Sequence, residues 1–189
     1  MMKPTIFFTS DHHFGHTNIL KFCNRPFDSI QHMNEELIQR WNEKVQPGDE
    51  VYHLGDFALA SNEEFKEIAD RLNGTIYLIV GNHEGAALNN RKRFKWIKEY
   101  YELKVQDEDC KNGVQRIILF HYAMRVWRGD FRGSWHLYGH SHNNLPDKPD
   151  SLSFDIGVDC HNYYPLSYAE VKAIMKAKHW SPPFGDIEI

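Results

Sequence analysis

The chain has 189 residues, 41% of them hydrophobic and 25% charged, and its 22 Lys and Arg face 26 Asp and Glu, a net charge of −4 with histidine neutral. Those values fit one globular domain over residues 1–189. They argue against disorder and against strong non-specific nucleic-acid binding, which needs many cations set against phosphates. No apolar run is long enough for a membrane helix, so no membrane partner is expected. The short start around Ile6-Phe7-Phe8 is not a signal peptide, and Cys23, Cys110 and Cys160 offer no disulfide framework, so a cytoplasmic location is expected.

Thr5–Thr9 reads as a buried strand. Asp28 to Val45 reads as a helix, with Ile30, Met33, Leu37, Trp41 and Val45 on one stripe and Asp28 as its cap. Pro47-Gly48-Asp49 breaks the pattern, and Glu50–Leu54 is a second strand closed by Gly55-Asp56. Ser61 with Glu64 predicts a capping box for a helix burying Phe65, Ile68, Ala69 and Leu72, and Asn73-Gly74 ends it. The apolar strand Thr75–Val80 runs into Gly81-Asn82-His83-Glu84. An amphipathic stretch with Phe94, Trp96, Ile97 and Tyr100 follows, its Arg91-Lys92-Arg93 read as a solvated helix face. Lys111-Asn112-Gly113 predicts a hairpin turn leading into a strand over Val114–Phe120. Trp135–Tyr138 and Ser151–Val158 are further strands. Ser167 with Glu170 caps a last helix carrying Val171, Ile174 and Met175, and Ser181-Pro182-Pro183 reads as an extended tail.

Polar clusters fall where strands end: Asp11-His12-His13, Gly55-Asp56, Gly81-Asn82-His83-Glu84, His121 and Gly139-His140-Ser141-His142. In layered α/β folds that edge is where loops converge on a site. Asp, Asn and His supply oxygen and nitrogen donors without thiolate, which suits Mn, Fe, Zn, Ni or Co better than a structural Cys-type zinc site. The candidate metal ligands Asp11, His13, Asp56, Asn82, His121, His140 and His142 are too many for one ion and suit two if one carboxylate bridges. In Asp-x-His and His-x-His, an extended backbone would set both side chains on one face.

This ordered set, Asp-x-His, Gly-Asp, Gly-Asn-His-Glu, His and Gly-His-x-His, resembles the calcineurin-like metallophosphoesterase superfamily, and the end from Gly157-Val158-Asp159 through Tyr164-Pro165-Leu166 resembles its small bacterial and phage members. The resemblance implies an α/β fold, a four-layer α/β/β/α sandwich with two mixed β-sheets. It implies two divalent metal ions, with manganese (Mn²⁺) favoured over Fe, Zn, Ni or Co. Asp11, His13, Asp56 and His142 would hold one ion, and Asp56, Asn82, His121 and His140 the other, with Asp56 bridging. His83 would be the catalytic residue, protonating the leaving group as a metal-bridging hydroxide attacks phosphorus. The protein-phosphatase branch follows Gly-Asp with an Asp-Arg pair that orients the catalytic histidine. Here Phe57-Ala58-Leu59-Ala60 follows instead, which leaves the partner of His83 unassigned and argues against a phosphoprotein substrate.

His16 and Arg25 are the candidate substrate-binding residues, Arg25 as a phosphate clamp. His12 and His53 read as structural, and Asn18 as a helix start. The cations and aromatics of Arg125–Arg132 could contact a nucleotide but read first as a packed connection. The resulting expectation is a metal-dependent phosphodiesterase acting on a small or nucleotide-like substrate. A phosphomonoesterase or pyrophosphohydrolase on the same core, or a non-catalytic metal-binding scaffold, are the alternatives.

Overall fold

Val51 and Tyr52 are neighbours in one strand, point to opposite faces, and are both buried, so the sheet that contains them is covered on both sides. The computed structural model, which describes residues 3–110 and 112–182, shows what covers it. In chain order the elements are β1 (Ile6–Thr9), α1 (Ile19–Phe22), α2 (Ile30–Lys44), β2 (Glu50–His53), α3 (Asn62–Ala69), β3 (Thr75–Ile79) and α4 (Gly85–Asn89). Then come β4 (Ile97–Lys98), β5 (Tyr100–Gln106), β6 (Val114–Phe120), β7 (Trp135–Tyr138), β8 (Ser153–Asp155), β9 (Leu166–Ser167) and α5 (Tyr168–Lys176).

Two mixed sheets result, as expected. The first has the order β4-β3-β2-β1-β9, parallel except for β9. The second has the order β5-β6-β7-β8, with β5 antiparallel and the rest parallel. Alternate residues of the first sheet divide between two cores. Phe7, Val51, Ile76 and Leu78 meet Met33, Leu37 and Trp41 of α2 and Phe65 of α3. Phe8, Tyr52 and Ile79 meet Ile117, Leu119, Trp135 and Leu137 of the second sheet. Val171 and Met175 of α5 join this inter-sheet core. Trp41 is fully buried and its indole N–H still has a partner, the Asn73 carbonyl at 2.9 Å.

The chain start and the turn before β2 are tied together at the opposite end of the first sheet from the polar clusters. Asp49 accepts from the Thr5 N–H at 2.9 Å and from the Gln46 N–H at 2.8 Å. Ser167 and Glu170 form a complete capping box on α5, and Ser61 accepts from the Glu64 N–H on α3.

Several expectations are corrected. Ser29, not Asp28, caps α2, accepting from the His32 N–H, because the helix begins one residue later. The stretch after α4 is not helical. Arg91–Arg93 form a 3₁₀ turn, Ile97–Lys98 join the first sheet, and Tyr100–Gln106 open the second. Phe94 fills the helix-side core while Trp96 and Tyr101 pack on the inter-sheet core, so these rings serve two layers rather than one helix stripe. The β5–β6 hairpin exists, but its connection runs from Asp107 to Gly113, with Gly113 at φ +66, and Lys111 lies outside the described residues. The strand expected over Ser151–Val158 shortens to Ser153–Asp155 and gives way to a 3₁₀ turn at Val158–Cys160. Pro183 of the expected tail lies outside the described residues. Asn18 does precede α1, without a side-chain cap bond.

The connection 121–134 packs on the second sheet, as expected of a packed connection. Trp127 donates to the Ser134 carbonyl and its ring meets that of His136 at 5.4 Å. His136 is fully buried, with Nδ1 on the Ile118 carbonyl at 3.1 Å and Nε2 accepting from the Met124 N–H at 3.1 Å. Burial lowers its pKa from 6.5 to about 4, although the carbonyls around it favour the charged form. Its contribution to stability is therefore complete above pH 6.5, and is lost as pH falls toward 4, where the unfolded chain binds the proton first. The stability gap between the native chain and His136→Gln is expected to narrow over that window, read by urea unfolding at pH 7, 5.5 and 4.5.

Candidate metal centre

Thr9 pairs with His53 and His53 with Leu78, so β1, β2 and β3 finish level and release Asp11, Asp56 and Asn82 at one edge. Leu119 pairs with Leu137 in the second sheet, which brings His121 and His140 to a common edge as well. His121 joins the two sheets: its Nδ1 lies 2.7 Å from the Leu54 carbonyl. An Nδ1–H donated there leaves the Nε2 lone pair facing the centre.

The Asp-x-His and His-x-His pairs do not lie on extended backbone, which corrects the expectation. Asp11, His13, Asp56, His140 and His142 all have left-handed φ, at +59, +52, +55, +67 and +46. Such backbone is rare outside glycine, and concentrates at functional sites where surrounding bonds over-determine it. Here the Asp11 N–H donates to Gly55 O and the His13 N–H to Asp56 O, each at 3.0 Å. The His140 N–H donates to Asp11 Oδ2 at 2.9 Å and the His83 N–H to Asp56 Oδ1 at 2.8 Å. A Cβ on Gly139 would overlap Asp11 Oδ2 and the Ser10 hydroxyl, and one on Gly81 would overlap Asp56 Oδ1, so both motif glycines are required by close approach.

All seven expected ligand residues come together. Asp11, His13 and His142 offer one cluster of donor atoms within 4.8 Å of one another, and Asp56, His121 and His140 a second. Asn82 adds its Oδ1, 3.1 Å from His121 Nε2. Asp56 Oδ2 stands between the clusters, 3.4 Å from His13 Nε2 and 3.7 Å from His121 Nε2.

The chemistry of these atoms fits cations. Asp11 Oδ1 and His13 Nε2 are buried without a hydrogen-bond partner. Burial raises the Asp11 carboxyl to about 8, against the pull of His142. Burial drives His13 far below its ordinary value, reinforced by the charges of His142 and Arg25, and lowers His121 despite the nearby Asp56. Neutral imidazoles and a carboxylate oxygen without a partner, lone pairs converging, are what a divalent ion satisfies. For His142, burial lowers the pKa but is outweighed by hydrogen bonding to Asp159 and by Asp11, and the group rises to about 10. A cation beside Asp11 would oppose that charge.

His83 is partly exposed, its ring 5.6 Å from that of His13 and 6.0 Å from that of His16. His16 is partly exposed too, with Nδ1 3.4 Å from His13 Nδ1. Arg25 corrects the expectation of a phosphate clamp. Its side chain has no exposure, and its nitrogens bond Asp159 twice, at 2.8 Å each, and the carbonyls of His12 at 2.8 Å and Asp11 at 2.6 Å. No face of the fork is left for a substrate. His12 and His53 form a buried pair, Nδ1 to Nε2 at 2.9 Å, behind the ligand loops.

Three further residues belong to the site. Asp159 holds His142 Nδ1 at 2.7 Å. Glu84 is buried, accepts from the Phe57 and Gly81 N–H groups at 3.3 Å, and braces the Gly55–Phe57 loop against the Gly81 loop. Burial, with Asp56 adding to it, raises its carboxyl to about 7. Tyr122 brings its hydroxyl 3.4 Å from Asn82 Oδ1 and its ring 4.7 Å from that of His140. A polar residue beside each motif was the available signal for Glu84 and Tyr122.

Nitrogen and oxygen donors gathered at the shared edge of two mixed sheets fit the metal-dependent phosphoesterases as a class. Within that class the chain belongs to the calcineurin-like phosphoesterase family, whose profile matches residues 4–174. An uncharacterised protein of Methanocaldococcus jannaschii is 37% identical over 186 residues, 94% of this chain and 96% of its own. The Gene 66 protein of Mycobacterium phage L5 is 33% identical over 98 residues, 50% of this chain and 46% of its own. A protein of unknown function from Aquifex aeolicus has the same fold, with a TM-score of 0.68 at 21% identity over 91% of this chain and all of that one. Among the described residues no helix is long and apolar enough to cross a membrane.

Gly139→Ala is expected to force Asp11 away from the His140 N–H and weaken metal binding by about tenfold or more, the scale seen when a ligand loses its support. Equilibrium dialysis with elemental analysis reads the change, and circular dichroism checks that the fold is kept.

Proposed function

We propose that this chain hydrolyses phosphodiester bonds of a small or nucleotide-like substrate at a two-cation centre, with manganese as the ion. The observation that supports it best is Asp56, whose one carboxylate oxygen lies 3.4 Å from a donor of one cluster and 3.7 Å from a donor of the other. Asp11, His13, Asp56 and His142 would hold one ion, and Asp56, Asn82, His121 and His140 its neighbour. When bound there, two such ions would lower the pKa of a water and offset charge on the phosphoryl oxygens.

The remaining steps fall to side chains. The bond from the His83 N–H to Asp56 Oδ1 fixes the main chain under the His83 imidazole, which stands partly open to solvent beside His13 and His16. From there His83 gives a proton to the departing alkoxide, matching the proton that the attacking water loses. His16 is at hand to donate to a phosphoryl oxygen. Residues 143–150, which follow the last ligand, are exposed throughout, in keeping with a site open to small diesters.

Metal analysis of the purified protein, followed by hydrolysis of aryl phosphate diesters and monoesters with Mn²⁺, tests the reading. Two ions per chain and faster diester turnover are expected. Faster monoester turnover would reject the diesterase, and full metal occupancy without hydrolysis of either would favour the scaffold. His83→Ala should keep its metal and lose about 10²-fold or more in kcat, the reach of a general acid. Unchanged turnover would remove His83 from that role.

A further inference from the structure

We infer that Arg25 and Asp159 are a buried pair of positioning residues that holds one of the two cation positions and leaves the other alone. This rests on the two-cation reading above. The pair lies 134 residues apart in sequence, and its side chains are 0% and 7% exposed. A buried ion pair of this kind gives little net stability, because desolvation offsets most of the attraction. What this pair touches is more informative than its strength.

Asp159 Oδ2 accepts from Arg25 Nη2 at 2.8 Å and faces His142 Nδ1 at 2.7 Å. A carboxylate there commits Nδ1 to carrying a proton and turns Nε2 toward Asp11, whose Oδ1 is 4.0 Å away. The other N–H groups of Arg25 reach the carbonyls of Asp11 and His12, the two peptide units that link Asp11 to His13. Those carbonyls sit in the left-handed turn that aims both side chains. One ion pair therefore governs Asp11 and His13 through the backbone and His142 through its ring, which together form one complete donor cluster.

The second cluster has no direct bond to the pair. His121 leans on the Leu54 carbonyl, Asp56 Oδ1 takes the His83 N–H, and Arg25 and Asp159 make no hydrogen bond to Asp56, Asn82, His121 or His140. The two clusters are hydrogen-bonded to each other from the His140 N–H to Asp11 Oδ2 and from the His13 N–H to Asp56 O, bonds which the substitutions below leave in place. Cys23 also lies near His142 and Asp159, but the Arg25 guanidinium already occupies that carboxylate and disfavours a further cation.

Asp159→Asn tests the inference in the full chain. Whichever way the new amide turns, an NH₂ meets a guanidinium N–H, so the fork is broken while the volume is kept. Arg25→Lys keeps the charge and removes the fork from the other side. Two readouts are used: Mn²⁺ bound per chain across graded free Mn²⁺, and the His142 Nδ1–H proton resonance of the metal-free protein. In each variant one of the two ions is expected to bind about 10–100-fold more weakly and the other as in the native chain. The low-field, exchange-protected Nδ1–H resonance of the native chain should move upfield or be lost in Asp159→Asn, because a neutral amide oxygen or an NH₂ replaces the carboxylate opposite it.

Native-like binding of both ions in the two variants would overturn the inference. So would equal weakening of both ions, or loss of both together with the near-ultraviolet signature of the fold, which would make the pair a support of the whole structure. A native chain that binds fewer than two ions would instead sink the two-cation reading, and the Nδ1–H resonance would still decide whether Asp159 governs His142.

Discussion

Asp56 Oδ2 meets imidazoles that arrive from two different sheets, His13 from the end of β1 and His121 from the end of β6. Every other feature of the site serves that meeting. The remaining oxygen of the same carboxylate takes the His83 N–H, so the residue that joins the two clusters also fixes the loop bearing the proposed proton donor. The inter-sheet core brings the two edges together, and the His121 bond to Leu54 locks them there. Without a rigid apolar layer between the sheets, donors from β1, β2, β3, β6 and β7 would have no common point.

The loops hold a strained conformation that the rest of the molecule supports. Five left-handed non-glycine residues at one site are costly, on the order of 1–3 kcal/mol each. Buried hydrogen bonds between loops offset this: Asp11 to Gly55, His13 to Asp56, Gly139 to His121, Val158 to Ser10. Each links a loop to one far away in sequence. The site is thus preorganised by its neighbours, which is what a centre with lone pairs pointing at lone pairs requires.

Much of this was legible in the residues. The donors announce themselves because each sits in a short contiguous motif at the end of an apolar strand, and glycine marks where backbone must come close. Other features were hidden for physical reasons. Asp159 lies in Gly157-Val158-Asp159, a segment that carries the family likeness, but its role was hidden, since its partners Arg25 and His142 are joined to it only by the fold. Arg25 looks like any surface cation until its carbonyl partners are placed. The strands β4, β5 and β9 were missed because two are two residues long and the third opens on Tyr100-Tyr101, which continue the spacing of Phe94, Trp96 and Ile97 and so also suit a helix face. The left-handed turns leave no period in the sequence, although Asp, Asn and His are the non-glycine residues that best tolerate them.

The Asp49 bonds to the Thr5 and Gln46 N–H groups gather the chain at the end of the first sheet opposite the donors. That separation gives the molecule two poles with different tasks. Changes that firm the Asp49 pole touch no metal-facing loop, so thermal tolerance can drift there independently of chemistry. At the other pole the crowded turns make almost every substitution a change in both at once.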